Sequence, residues 1–251
     1  MKIVLSPAKK LDLKSGYSEM PYTEPVFLNE AEKLIMVMRQ KTPDEIKQLM
    51  QLSDNLANLN WERYQAWHKK IDKTARPAIF TFNGHVFDGL NVKNLPAEKL
   101  PELNQKVRIL SGLYGVLRPF DLIYPYRLEM GTKLRFDNYK NLYGYWCQKV
   151  TEYLNNEMPE GDFLVNLASQ EYFKVIDKKQ FKHPVYDIVF KDYKNGELKT
   201  ISLYAKIARG LMTRFIIQNH INTPDDLKLF DTNGYRYDES LSSDFRLVFT
   251  R

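Results

Sequence analysis

The apolar residues of this chain come in short runs that stop at prolines, glycines and polar pairs, and this punctuation restricts the fold more than any other feature. Lys2-Ile3-Val4-Leu5-Ser6 halts at Pro7, Ala78-Ile79-Phe80-Thr81-Phe82 closes at Asn83-Gly84, and Val107-Arg108-Ile109-Leu110 closes at Ser111-Gly112. Asp162 to Leu167 ends in Ala168-Ser169-Gln170-Glu171. Runs of four to six such residues bounded by turn chemistry read as buried strands. Val185 to Tyr193 and Glu197 to Tyr204 flank Lys194-Asn195-Gly196, which predicts an antiparallel hairpin, and Asp244 to Phe249 supplies a last strand.

Between the strands the apolar spacing turns helical. Ala31, Leu34, Ile35 and Met38 fall on one face, and Thr42-Pro43-Asp44-Glu45 starts a second helix with a capping box and a proline in its first turn. Trp61 to His68, Leu142 to Asn155 and Ala205 to His220 read as helices, and Thr223-Pro224-Asp225-Asp226 repeats the Thr-Pro start. Residues 111–131, rich in Gly, Pro and Tyr, read as a long ordered loop, a class of segment that is usually functional or else made of short elements. Strands and helices alternate without strict βαβ regularity and one hairpin is antiparallel. The expectation is therefore an α/β (mixed α+β) fold, a mixed sheet wrapped by helices, in a single domain over residues 1–251.

Composition narrows the function classes. The 251 residues carry 37 Lys+Arg against 31 Asp+Glu, a net charge of +6, and 43% of them are hydrophobic. A chain this long buries roughly 70–75% of the surface that its unfolded form exposes, which excludes a disordered tail protein. No uncharged apolar run approaches the ~18 residues of a spanning helix, and Pro7, Lys9 and Lys10 break up the N-terminus, so neither membrane segment nor signal peptide is expected. One cysteine, Cys147, leaves no internal disulfide and points to a reducing cytoplasm. It lies in an aromatic run, where a buried structural thiol is the better reading than a nucleophile.

Strong motifs are missing. There is no G-x-x-x-x-G-K-[ST] phosphate loop, no G-x-G-x-x-G after a strand and no G-x-S-x-G elbow. His68, His85, His183 and His220 have no zinc-ligand spacing, so no metal or cofactor is expected.

The basic signal is better. On the helix from Ala205, Lys206, Arg209, Thr213 and His220 share one sector while Ile207, Ala208, Leu211 and Phe215 lie opposite. Lys9, Lys10, Arg118 and Arg127 fall in loops beside strand ends, where ligand sites of open sheets concentrate. Converging, these groups make a basic cleft, with Tyr114, Tyr124 and Tyr126 available for base or sugar contacts or simply for packing. Asp121, Glu129 and Glu171 serve equally as acid–base groups or as ion-pair partners of the arginines. Residues 42–68 have the rhythm of a helix-hairpin-helix, with Asn58 where a hairpin glycine is usual.

Taken together, five blocks resemble the YaaA family, the peroxide stress proteins. They are Ser6-Pro7-Ala8-Lys9; Leu110 to Pro119; Pro125 to Gly131; Asn166-Leu167-Ala168-Ser169 with Glu171-Tyr172-Phe173; and Tyr204-Ala205-Lys206 with Ala208-Arg209-Gly210. The resemblance runs from residue 1 to about 250. It implies a bacterial, cytoplasmic, single-domain protein that limits iron-driven damage under hydrogen peroxide, with a basic cleft and an association with DNA. By the same resemblance residues 42–68 correspond to the family's helix-hairpin-helix. Lys9, Arg118, Arg127, Lys206 and Arg209 become the phosphate contacts, and Ser6, Asn166, Ser169 and Glu171 the polar groups of the cleft. Ile207 stands where the family pattern has a lysine. The expected state is a monomer on duplex or structured DNA without stable metal. The alternative is an enzyme acting on a phosphorylated or nucleotide-like substrate, suggested by the pairing of Arg127 with Glu129 and Lys206 with Glu171.

Overall fold

The structure is a computed structural model that describes residues 1–17 and 20–251. Its elements in chain order are β1 (Lys2–Leu5), β2 (Lys10–Leu11), α1 (Leu28–Arg39), α2 (Pro43–Met50), α3 (Asp54–Ala66), β3 (Arg76–Pro77), α4 (Ala78–Thr81), β4 (Phe82–Asn83), α5 (His85–Leu90), α6 (Leu100–Lys106) and β5 (Val107–Ser111). There follow β6 (Gly115–Leu117), β7 (Leu122–Ile123), α7 (Leu142–Glu157), β8 (Leu164–Asn166), α8 (Gln170–Phe173), β9 (Val185–Lys194), β10 (Glu197–Lys199), α9 (Ser202–Gln218), α10 (Pro224–Leu227), β11 (Arg236–Tyr237) and β12 (Arg246–Thr250).

The main sheet has the order β11-β12-β9-β8-β1-β5-β6, with β10 hairpinned onto β9. The five strands from β12 to β5 are parallel, while β6 and β11 pair antiparallel at the two edges. This is the mixed α/β sheet expected from the sequence. All four residues of β1 are buried, the signature of a parallel strand covered on both faces. After β1 the chain moves outward to β5 and β6, then returns to the other side of β1 to lay down β8, β9 and β12. Strand order therefore reverses between β1 and β8, where open sheets leave a crevice at the carboxyl ends of their strands.

Helix ends follow the local chemistry. Thr42 and Glu45 form the expected capping box, Glu45 N donating to Thr42 Oγ1 at 3.3 Å and Thr42 N to Glu45 Oε2 at 2.7 Å. Asn141 Oδ1 caps α7 by accepting from Gly144 N at 3.0 Å. α5 and α9 cross in contact at two glycines: a Cβ on Gly210 would fall on the Val86 carbonyl oxygen, and one on Gly89 on the Ile207 carbonyl oxygen. Arg214 completes the joint by donating to the carbonyls of Leu90, Asn91 and Asn94 at the end of α5.

Several expectations are corrected. Residues 78–81 form the short helix α4, entered from Pro77 and closed by Thr81 Oγ1 donating to the Pro77 carbonyl at 2.8 Å. Every residue of that turn is buried, so no periodicity distinguished helix from strand. Residues 111–131 contain β6 and β7 rather than loop alone, and the second arm of the hairpin stops at Lys199 because α9 starts at Ser202. The hairpin of the 42–68 region falls at 51–53, with Gln51, not Asn58, in the left-handed conformation; Asn58 lies within α3. On α9, Thr213 is fully buried and donates to the Arg209 carbonyl, and His220 follows the helix and pairs with Glu102, so neither extends a cationic face.

Arg108, buried on β5, is held by Glu157 at the end of α7, with Lys2 Nζ at 3.5 Å from the same carboxylate. Burial works to raise the Glu157 pKa, but the hydrogen bond and charge of Arg108 outweigh it and hold the carboxyl below its usual range. A lowered folded-state pKa contributes stability that is complete above the ordinary carboxylate range and is lost as pH falls through the lowered value. Urea unfolding at stepwise lower pH is expected to show this loss in the wild type and a shallower one in Glu157→Gln. Gly210→Ala, which drives a methyl into the α5 backbone, is expected to lower stability by about 3 kcal/mol and Tm by roughly 6–12 °C, read by thermal unfolding.

Candidate functional site

Ser6 leaves the carboxyl end of β1 and Ser169 follows the carboxyl end of β8, so the reversal of strand order brings them together. Ser169 N donates to Ser6 Oγ at 2.8 Å and Ser6 Oγ to Ser169 Oγ at 3.2 Å. Leu167 N donates to the Val4 carbonyl, continuing the ladder one residue past β8 before the chain turns into α8. From this seam the loops after β1, β7 and β8 build the walls of the crevice.

The segment 126–131 straps across the seam. Gly112 lies so close beneath it that a Cβ there would meet the Leu128 carbonyl oxygen. Tyr126 is anchored by a 2.6 Å hydrogen bond with Ser111 Oγ, and Tyr64 of α3 donates its hydroxyl to the Arg127 carbonyl. Arg127 donates Nε and Nη2 to Glu129 Oε1 at 3.1 and 2.9 Å, and Lys9 Nζ reaches the same oxygen at 3.3 Å. Glu129 Oε2 is buried and makes no hydrogen bond. Glu171 in α8 accepts from Gly131 N at 3.0 Å and closes the strap on the other side.

Two concavities of about 500 and 630 Å³ open here, one on either side of α8. Lys9, Glu129, Lys133 and Glu171 line the smaller together with Gln48 and Gln51 from the α2–α3 hairpin. Asn166, Asp187 and Arg209 line the larger, whose floor is the part of β9 that extends past the end of β8. Asn166 Nδ2 donates to Asp187 Oδ1 at 2.7 Å, and Lys178 Nζ lies 3.6 Å from Asp187 Oδ2.

The structure thus brings Ser6, Lys9, Arg127, Asn166, Ser169 and Glu171 to one edge of the sheet and places Arg209 in the second concavity. Arg118 is turned aside: its backbone N and Nε donate to Asp121 at 2.8 and 3.1 Å, and Nη2 to the Glu24 carbonyl. Burial pushes the Asp121 carboxyl up, against the hydrogen bonds from Thr23 and Arg118. Lys206 is exposed on α9 and forms no ion pair with Glu171, among the described residues. Tyr114, Tyr124 and Tyr126 are core residues, at 0%, 5% and 5% exposure, and burial raises the pKa of each phenol. They pack instead of presenting faces to a ligand. Sequence reasoning missed Asp187, Lys178, Arg246 and Phe190, which the topology of β9 and β12 carries into the second concavity. The signal was available only through strand order, because Asp187 reads as one more polar residue of an alternating strand. Among the described residues no group of three His, Cys, Asp or Glu is placed to hold a metal ion, and no helix is long and apolar enough to cross a membrane.

A parallel sheet with antiparallel edges and a polar seam at its switch point defines an α/β protein with charged side chains gathered on its carboxyl edge. The sequence gives that class a narrower meaning, since the family described as peroxide stress protein YaaA matches residues 1–241. The chain belongs to this family. It is 50% identical over 252 residues to a UPF0246 protein of Flavobacterium johnsoniae, with all of both chains covered. A UPF0246 protein of Idiomarina loihiensis is 48% identical over 254 residues, covering 100% of this chain and 98% of the relative. Another, of Bordetella pertussis, is also 48% identical over 254 residues, covering 100% and 99%.

Proposed function

We propose that this chain acts in the cytoplasm during peroxide stress by binding the phosphate backbone of DNA along the groove between the α2–α3 hairpin and the strand-end loops. One observation carries the reading. The hairpin and the basic loops, far apart in sequence, flank a single groove, with Gln48 and Gln51 on one wall and Lys9 and Lys133 on the other. The hairpin has the geometry the role asks for. Met50-Gln51-Leu52 puts a left-handed residue between two buried apolar ones, and α3 begins at Ser53 without a side-chain cap, leaving first-turn amides for an anion.

Electrostatics set the mode of binding. Glu129 is shared by Arg127, which is shielded, and Lys9, whose side chain stays exposed, so the phosphate contacts fall to Lys9 and Lys133 at the rim and are sequence-independent. Each phosphate neutralised releases condensed counterions. Under peroxide, iron bound at the backbone is among the cations displaced, which links DNA contact to less iron-driven damage. The monomer suffices for this role, because both walls of the groove come from one chain.

The test is a salt titration of fluorescent duplex, single-stranded and junction DNA. The logarithm of the binding constant should fall with the logarithm of salt at about −0.9 per contact on duplex. Lys9→Ala with Lys133→Ala should flatten that slope by roughly 1.8. Asp54→Asn, which removes a negative charge from the mouth of the hairpin, should tighten binding. A slope and affinity indifferent to all three substitutions would overturn the proposal.

A further inference from the structure

The 630 Å³ cavity beyond the end of β8 holds a half-buried cation without an anion. Arg209 projects into it from the second turn of α9, and among the described residues its guanidinium makes no hydrogen bond and no ion pair, with Nε fully shielded. Burial pulls its pKa down, and no acidic side chain works in the opposite direction. A guanidinium keeps its charge under such conditions, and a shielded Nε–H with no acceptor is disfavoured until a ligand supplies one. Arg108, buried on β5, has Glu157. Arg209 faces a space of ligand size instead.

The surroundings specify what fills it. Ala205, one helical turn before Arg209, keeps the wall of α9 low, and the helix begins at Thr200–Ser202 beside the cavity with no side-chain cap. Arg246 of β12 and Lys178 stand at the rim. Three cations against the single carboxylate of Asp187 leave 3 − 1 = +2 around the space, which matches the charge of about −1.5 to −2 of a phosphate monoester. The walls are not only ionic. Edges of Phe173 and Phe190, which otherwise pack in the core, and Val189 add apolar surface, and Asn166 and Asp187, hydrogen-bonded to each other at 2.7 Å, have acceptor capacity left for hydroxyl or N–H donors.

We infer that this cavity is a binding site for a phosphorylated small molecule of nucleoside monophosphate size, its phosphate on Arg209 and Arg246 and its hydroxyl or N–H groups on Asn166 and Asp187. The site is separate from the groove assigned to DNA, because α8 stands between them with Glu171 on one side and Gln170 and Phe173 on the other.

Isothermal titration of the full chain with AMP, GMP, CMP and UMP, and with the matching nucleosides and inorganic phosphate, tests the assignment. At least one monophosphate should give a saturable isotherm, at least about tenfold tighter than its nucleoside and than inorganic phosphate, as a charge-assisted phosphate contact plus hydrogen bonds to Asn166 and Asp187 require. Arg209→Met should weaken it by a further tenfold or so, and Arg246→Ala, at the exposed rim where folding is not at stake, by a smaller factor. Near-UV circular dichroism establishes that both variants are folded. No saturable binding of any of the four at millimolar concentration would overturn the inference. So would binding unchanged in the folded variants, or inorganic phosphate binding as tightly as the nucleotides.

Discussion

The complete burial of β1 is the constraint from which the rest of the molecule is arranged. Four residues at the start of the chain pair with β5 on one side and β8 on the other, so strands more than 100 and 160 residues downstream must return to cover them. Such pairings are non-local and carry a large closure entropy, which the apolar faces of Ile3, Val4 and Leu5 offset only when helices cover both sides of the sheet. Because the chain builds outward from β1 in one direction and then in the other, the seam between β1 and β8 is a topological necessity. Ser6 and Ser169 meet there as a consequence of strand order.

What the sequence made legible follows from local chemistry. β1, β5, the hairpin at 194–196 and the capping box at Thr42 are each written in a few adjacent residues, and each lies where those residues say. The failures share a cause of their own. Residues 78–81 are buried on every side, so a helical turn and a strand look alike. The α9 wheel treated the helix as having one core face, but Gly210 lets α5 approach from a second direction and buries Thr213. Gln51 adopts the left-handed conformation without glycine, since the Leu52 N–H bond to the Lys47 carbonyl and the burial of Leu52 hold the turn. The candidate site was half legible: the loops after β1 and β7 announce themselves by their charges, whereas the cavity over β9 exists only because β8 is shorter than its neighbour.

Charge on this protein is managed locally. A net +6 suggests a basic surface, yet Arg118, Arg127 and Arg108 each spend their charge on a carboxylate within the same layer. Those pairs hold loops in place, and they leave the electrostatic field at the groove to flexible lysines. Lysines act as point charges on mobile stems, suited to backbone phosphates of any sequence and poorly suited to reading a base edge.

Arg209 has no such carboxylate, and the contact between α5 and α9 explains how it is held. The two glycines let the helix backbones touch, and Arg214 fastens α9 to three carbonyls at and just after the end of α5, which fixes the direction in which Arg209 points. The guanidinium therefore stays at the cavity with its Nε out of water, as a pre-organised anion receptor does. The burial cost lies within the folding free energy of the whole domain rather than being incurred at the moment of binding. The structural arginine Arg214 has its carbonyls, whereas the guanidinium of Arg209 has no acceptor among the described residues. The single acid in the cavity, Asp187, is instead taken up by Asn166 and Lys178, which keeps it from quenching the charge on Arg209.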